Sequence, residues 1–389
     1  MIVVLRSAGG SGAAGARESR RLTCHFGRAP LGQTRALASS LGEPPGPAVR
    51  FFPNLGVMLG TVDRAGLLAL RADSEVQSVT GAPLLSPIRP QRVAAAKLQK
   101  KLTWGIEQMK VPQVWDEKLT GAGVLVAHLD TGADGKHPAL EGAIAHFAEF
   151  DRLGRALEPT PKPWDSDEHG THTAATIAGR PVNGRHVGIA PGAKLASAMV
   201  IEGGDAVARV LAGMDWALGL GARVLSLSLG FRGWWPDFLV LTRILRQKGM
   251  LPVFAVGNEE AGSSRSPGNY PEALSVGACD GAGRVPEFSS SQRFRRKQDP
   301  IVPDMVAPGV DVISARPGGG YQTMDGSSMA TPHVAGLAAL LLQAHPKATV
   351  ARVERAIFDS CTRSSGMTAG RAGRGIPDAK KALIALSSK

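Results

Sequence analysis

The chain has 389 residues, 43% of them hydrophobic and 20% charged, with a formal net charge of +12. That length buries one large core, or a large core beside a small companion domain, in an ordinary globular balance. Three widely spaced cysteines (Cys24, Cys279, Cys361) exclude a disulfide framework, and the longest apolar run, Val334 to Ala344, is too short to span a bilayer.

The opening "MIVVL" holds too few apolar residues before Arg6 for a signal-peptide core, so residues 1–21 are expected to be a disordered tail. On that ground the expected compartment is the cytoplasm, with secretion as the alternative if the start is misassigned. From Leu22 to Pro87 a small α/β unit is expected. "LTCHF" suggests a strand, "LGQTRALASSL" a helix, "VRFF" and "LGVMLGTV" two strands, "DRAGLLALRAD" a helix capped by Asp63, and "EVQSVTG" a closing strand. "IRPQRVAAAKLQKKL", Ile88 to Leu102, has the composition of an exposed basic linker.

Beyond the linker the texture changes. "GVLVAHLD", "AKLASAMVI", "ARVLSLSLG", "MLPVFAVGN" and "ALSVGA" are short apolar runs suited to strands buried on both faces. "DAVARVLAGMDWALGL" and "DFLVLTRILRQKG" between them are helical, which predicts an α/β fold with a parallel sheet covered by helices on both faces. Functional groups in such sheets gather at the carboxyl ends of the strands, where Asp130, Gly230 and Asn258 all fall. The basic run "RFRRK" (Arg293 to Lys297) lies in a loop-like stretch with no nucleic-acid motif, so no nucleic-acid partner is expected.

Four stretches carry residues fit for chemistry. Asp130 closes a strand before Thr-Gly, where it either caps a turn or orients a histidine. "DSDEHGTHTAATIAG" holds His169 and His172 three apart among acidic residues; His169 suits a general base and His172 a packing histidine. A metal site from Asp165, Asp167, His169 and His172 is the competing reading, but the spacing departs from the i, i+4 pair of helical zinc motifs. Asn258, after "FAVG", either makes a turn or donates to an oxyanion. In "MDGSSMATPHVAG", the adjacent Ser327 and Ser328 stand at a helix start behind Gly326, where a hydroxyl is either an ordinary helix cap or, at Ser328, a nucleophile held where the dipole favours negative charge.

At these residues the chain resembles the subtilisin family of serine proteases, over roughly Trp104 to Leu383. "VAHLDTG", "HGTHTA", "AVGN" and "GSSMATPHVAG" carry the likeness in the family's order. It implies a serine endopeptidase in which Asp130 orients His169, His169 serves Ser328, and Asn258 donates to the oxyanion. It also implies that Ser228, Leu229, Gly230 and Gly257 bind an extended polypeptide substrate. Arg265 falls near the pocket for the residue before the cut bond, where it shrinks the pocket, favours an acidic residue or pairs with Glu259.

The resemblance extends in position and element order to an inhibitor-type propeptide. This divides the chain into a tail (1–21), a propeptide-like α/β domain (22–87), a linker with the processing region near Lys97 to Thr103 (88–103), and a catalytic domain (104–389). A self-processing zymogen is implied, with the propeptide as intramolecular inhibitor, no cofactor and a monomeric state. The family's calcium loop is here "RPVNGRHV" (Arg180 to Val187), with few oxygen ligands, so no metal is expected there. The loop "IEGGDA" after Val200 is short, which would open the groove. Two rivals remain: a binding scaffold that keeps its propeptide, and the metallohydrolase above. A relative with Glu in place of His is disfavoured by "HGTHTA".

Overall fold

A computed structural model describes residues 1–6, 12–27, 49–82, 86–201 and 206–388. The N-terminal unit comprises β1 (Ile2–Leu5), α1 (Gly12–Leu22), β2 (Val49–Phe52), β3 (Val57–Gly60), α2 (Arg64–Ala72) and β4 (Val76–Thr80). Its antiparallel sheet runs β2-β3-β1-β4. Within the tail expected over 1–21, residues 2–5 are therefore not free, because β1 is an inner strand, and α1 follows from Gly12. Its side chains alternate between two cores. Val3 and Leu5 pack with Leu22, Phe26, Met58, Leu70 and Val76, whereas Ile2 and Val4 join Phe52, Leu55 and Leu59 against the larger unit. Each such aliphatic burial is worth about 1.5–3 kcal/mol.

The expected strand over Leu22–Phe26 is instead the end of α1 and a 3-10 turn at Thr23–His25, tied back by Thr23 Oγ1 donating to Ser19 O at 2.7 Å. The helix expected over residues 31–41 lies outside the described residues. α2 forms as expected, capped by Asp63, which accepts from Gly66 N at 2.7 Å.

Nor is the stretch after it a free linker. β5 (Ser86–Pro87) and β6 (Arg92–Ala96) each add to a sheet of the larger unit. β6 pairs antiparallel with residues Tyr321–Asp325 in five-residue register. The pairing partners lie more than 200 residues away, so nothing local in the sequence announces them.

The larger unit is built on seven parallel strands, β7 (Leu125–Asp130), β8 (Ile144–Glu149), β9 (Lys194–Met199), β10 (Val224–Leu227), β12 (Leu251–Ala255), β14 (Leu274–Cys279) and β17 (Met305–Pro308). Their order is β17-β14-β12-β10-β7-β9-β8. Short helices α3 (Trp104–Gln108) and α4 (Pro112–Trp115) lead in. Two longer ones, α5 (His169–Ala178) and α8 (Ser327–Ala344), cover one face. Helices α6 (Val207–Gly219) and α7 (Leu239–Gln247) cover the other, and the N-terminal unit rests on that second layer.

Neighbouring residues of one strand serve opposite cores: Val126 joins the α5/α8 layer and Ala127 the α6/α7 layer, as burial on both faces requires. The smaller strands β11 (Leu229–Arg232), β13 (Arg265–Ser266), β18 (Val312–Ala315) and β19 (Tyr321–Asp325) frame the carboxyl end of the sheet. One three-stranded sheet there has the order β13-β11-β5 and another the order β18-β19-β6.

Candidate active site

Asp130 ends β7 and His169 begins α5, so a strand terminus and a helix terminus meet at the crevice. His169 Nδ1 lies 2.7 Å from Asp130 Oδ1. The same carboxylate accepts from Thr131 N at 2.8 Å and from Thr173 Oγ1 at 3.2 Å, so it is satisfied although its side chain is only 2% exposed. Burial opposes charge on both partners, but their attraction and hydrogen bond outweigh it: the His169 pKa is raised and the Asp130 pKa lowered. The helix start is pinned by Asp165, which accepts from Thr131 Oγ1 at 2.7 Å and from Thr171 N and Oγ1 at 2.6 Å each. Neither Asp165 nor Thr173 stands out in the sequence as a support, although Thr173 sits one helical turn after His169.

Ser328 is the second residue of α8 and fully buried. Ser327 ahead of it holds Asn258: the Asn258 Oδ1 accepts from Ser327 N at 2.9 Å and from Ser327 Oγ at 2.8 Å. With its oxygen fixed, the amide presents Nδ2 to the groove. Gly326 permits this approach, because a Cβ there would stand 3.0 Å from Asn258 Nδ2. The adjacent serines thus have separate partners.

The chain's own segment 86–96 lies in the groove. Ser86 and Pro87 pair with Gly230 and Leu229 of β11, and Ile88 N donates to Ser228 O at 3.2 Å. Ser328 Oγ donates to Ile88 O at 2.9 Å, while Asn258 Nδ2 donates to the next carbonyl, Arg89 O, at 2.9 Å. At the bend at Gln91, its N–H donates to Asp325 O at 2.8 Å and β6 then runs beside β19. His169 Nε2 is buried without a hydrogen-bond partner, and the Ser328 hydroxyl donates to Ile88 O. Lys97 to Thr103, expected from sequence to be the processing region, comes after β6, past both carbonyls held by Ser328 and Asn258.

The other groups resolve on contacts. His172 Nε2 is 2.9 Å from Val312 O, and burial holds its pKa down to about 3, a packing histidine. Among the described residues no three His, Cys, Asp or Glu side chains gather as a metal site. A second histidine, His128, lies 3.0 Å from Ser197 Oγ and 3.8 Å from Asp130 Oδ2, but both it and Ser197 are enclosed between β7 and β9 where no peptide reaches. Arg180 donates to the carbonyls of Ala178, Pro191 and Ala193 at 2.9, 2.5 and 2.9 Å, and to Gly142 at 3.2 Å. Arg265 pairs with Glu259, Nε at 2.8 Å and Nη2 at 2.5 Å from Oε1. Gly257 donates to Ser327 Oγ at 3.3 Å. In the basic run, Arg296 is not a free charge: it donates to Asn269 O at 2.8 Å and lies over the Trp234 and Phe294 rings. Residues 202–205 of the expected short loop lie outside the described residues.

A parallel sheet covered on both faces, with Asp, His, Asn and Ser converging at its carboxyl end, defines a hydrolase of the serine-nucleophile class. The Subtilase family profile matches residues 121–375. Subtilisin Savinase of Lederbergia lenta is 36% identical over 265 residues, 68% of this chain and 92% of that protein. M-protease of Shouchella clausii (strain KSM-K16) is 35% identical over 267 residues, 68% of this chain and 66% of that protein. Subtilisin E of Bacillus subtilis (strain 168) is 30% identical over 330 residues, 83% of this chain and 80% of that protein. The chain belongs to the subtilase family and is a subtilisin-like serine endopeptidase. Among the described residues no helix is long and apolar enough to cross a membrane.

Proposed function

We propose that Ser328 is the nucleophile, His169 its general base, Asp130 the residue that orients His169, and Asn258 the oxyanion donor. The observation that carries this is the approach of four groups, from β7, α5, the turn after β12 and α8, to one space beside residues 88–89: His169 is bonded to Asp130, while Ser328 and Asn258 donate to the adjacent carbonyls Ile88 O and Arg89 O. With a substrate carbonyl in that space, His169 Nε2 takes the Ser328 proton as Oγ attacks. Asn258 Nδ2 and the Ser328 N–H meet the oxyanion, and His169 returns the proton to the leaving amine. Water then reverses the sequence on the acyl-enzyme. Ser228, Leu229 and Gly230 supply an edge to which an extended polypeptide adds as a strand, as residues 86–88 do.

The N-terminal unit and the strap that follows it, residues 86–96, act as the intramolecular inhibitor. The strap lies along the substrate edge, yet no single carbonyl meets both reactive groups: Ser328 holds Ile88 O and Asn258 holds Arg89 O. A carbonyl without an oxyanion donor, facing a hydroxyl without its base, is held and not cut. Activation then requires a cut outside this register, which the exposed residues around Lys100 permit.

The test is mass spectrometry of the full chain after exposure to a fluorophosphonate. A single adduct on the wild type, absent from Ser328→Ala, is expected, together with a loss of peptide hydrolysis of about 10⁶-fold in the variant, a figure for which subtilisin is itself the reference case. No adduct on folded protein from which the strap has been removed would leave a peptide-binding scaffold as the reading.

A further inference from the structure

The substrate edge has an unusual neighbour. Arg265 lies on β13, the far side of β11 from the strap, yet its guanidinium crosses β11 and touches the strap. Nη1 donates to Ser86 Oγ at 2.8 Å and lies 3.2 Å from Gly230 O. The crossing is possible because Gly230 and Gly257 carry no side chains. A Cβ on Gly230 would meet Arg265 Cβ at 3.3 Å, and one on Gly257 would meet Arg265 Cγ at 3.3 Å and Glu259 Oε2 at 2.7 Å. The slot between these two backbones, which would otherwise be open, is filled by an arginine side chain only 6% exposed.

Its charge is met there. Nε and Nη2 are both committed to Glu259 Oε1, so the pair is close to neutral as a unit and Nη1 alone faces the strap. Side chains two apart on an extended strand share a face. Ile88 therefore points to the same side as Ser86, toward the Arg265–Glu259 pair, and it is 1% exposed. The residue whose carbonyl Ser328 approaches is thus the one whose place on the strand faces the slot that Arg265 fills.

We propose that Arg265, fixed by Glu259, determines substrate specificity at this edge. It limits the residue before the cut bond to small or medium aliphatic side chains, and it adds a hydrogen bond to a hydroxyl two residues further upstream. This rests on the assignment of Ser328 as nucleophile. Of the three possibilities open from sequence, the pairing with Glu259 and the shortened pocket hold together. A preference for an acidic residue is not expected, because the guanidinium charge is already met.

The test sets N-acylated Ser-Pro-Ile and Ser-Pro-Phe anilides in competition, so that the ratio of kcat/KM is independent of how much enzyme is unblocked. The wild type is expected to favour Ile at least tenfold, and Arg265→Gly, which opens the slot, to shift the ratio toward Phe at least tenfold. Arg265→Met fills the slot without donors. It is expected to keep the preference for Ile, but to lose the lower KM that Ser-Pro-Ile shows over Ala-Pro-Ile in the wild type. An Ile/Phe ratio equal in wild type and Arg265→Gly overturns the inference, as does a Ser/Ala difference that persists in Arg265→Met. Fluorophosphonate labelling is read on each protein: a labelled enzyme with unchanged ratios refutes the specificity role alone. Absence of labelling on strap-free wild type refutes the nucleophile and the specificity role together.

Discussion

Asp130 shows how much a single carboxylate can be asked to hold. It accepts from its own successor's N–H, from His169 and from Thr173, at 2.8, 2.7 and 3.2 Å. These bonds keep it ionised despite burial, and its charge in turn raises the His169 pKa against the pull of desolvation. His169 accepts a proton only when neutral, so activity is lost as pH falls through that raised value. The acidic limb of kcat/KM should therefore lie above the ordinary histidine value of 6.5. In Asp130→Asn the limb should move down and kcat fall by about 10⁴-fold; pH–rate profiles of both proteins check this, and a limb that does not move would remove Asp130 from the role. At this scale the four residues proposed to react stand out in the sequence, since each sits in a distinctive local string. For Arg265 the sequence leaves three roles open, because its crossing over Gly230 and its contact with Ser86 are facts of three-dimensional placement.

Among the elements, the loop after α5 shows a charge doing structural duty. Arg180 spreads its donors over carbonyls from four places in the chain, at Gly142, Ala178, Pro191 and Ala193. Gly142 O also accepts from Lys194 Nζ at 2.6 Å, so Arg180→Ala takes the side-chain donor from the other three carbonyls, and each buried one so stranded costs about 1–3 kcal/mol. A fall in thermal midpoint of several degrees is expected. Lysine should recover only part of it, since a single ammonium cannot span the planar fork. A midpoint unchanged in the alanine variant would mean that water serves these carbonyls as well.

Elements are legible from sequence where a helical or buried-strand pattern runs long, as in α2 and β7. They are hidden where the partner is remote. β1 is only four residues long and is followed by Arg6, Ser7 and a Gly/Ala-rich run, so its two-sided burial cannot be read locally. "LTCHF" alternates like a strand, but the preceding α1 carries on into it. The strap reads as a linker because Pro, Arg and Gln say nothing of β11 and β19, against which it lies.

At the scale of the molecule, one acidic side chain links the two units. Asp215 on α6 accepts from Asn54 N and Leu55 N, at 2.6 and 2.9 Å, at the loop between β2 and β3. Burial pushes its pKa up, yet the amide hydrogen bonds favour the charge. Hydrogen bonds to a charged group contribute about 1.5–3 kcal/mol each. In Asp215→Ala the N-terminal unit should therefore release more readily, and Ser328 in the full chain should label with a fluorophosphonate at least tenfold faster. An unchanged labelling rate would assign the blockade to the strap alone. The parallel sheet and its helical layers are legible at this scale from the alternation of apolar runs and helical stretches. The docking of one unit on the other is not, since Ile2, Val4 and Leu55 look like core residues of a self-sufficient domain.

On the proposed reading of the N-terminal unit as an inhibitor, the shared core under β1 also governs its fate after release. Once that unit leaves, Ile2, Val4, Phe52, Leu55 and Leu59 lose their neighbours, and seven buried side chains remain as the core within its described part. A domain with so thin an interior spends much of its time open, and the partner it has just left is a peptidase. The first molecules freed would consume the means of their own restraint. Activation would then run as a ratchet, with the N-terminal unit used once and destroyed.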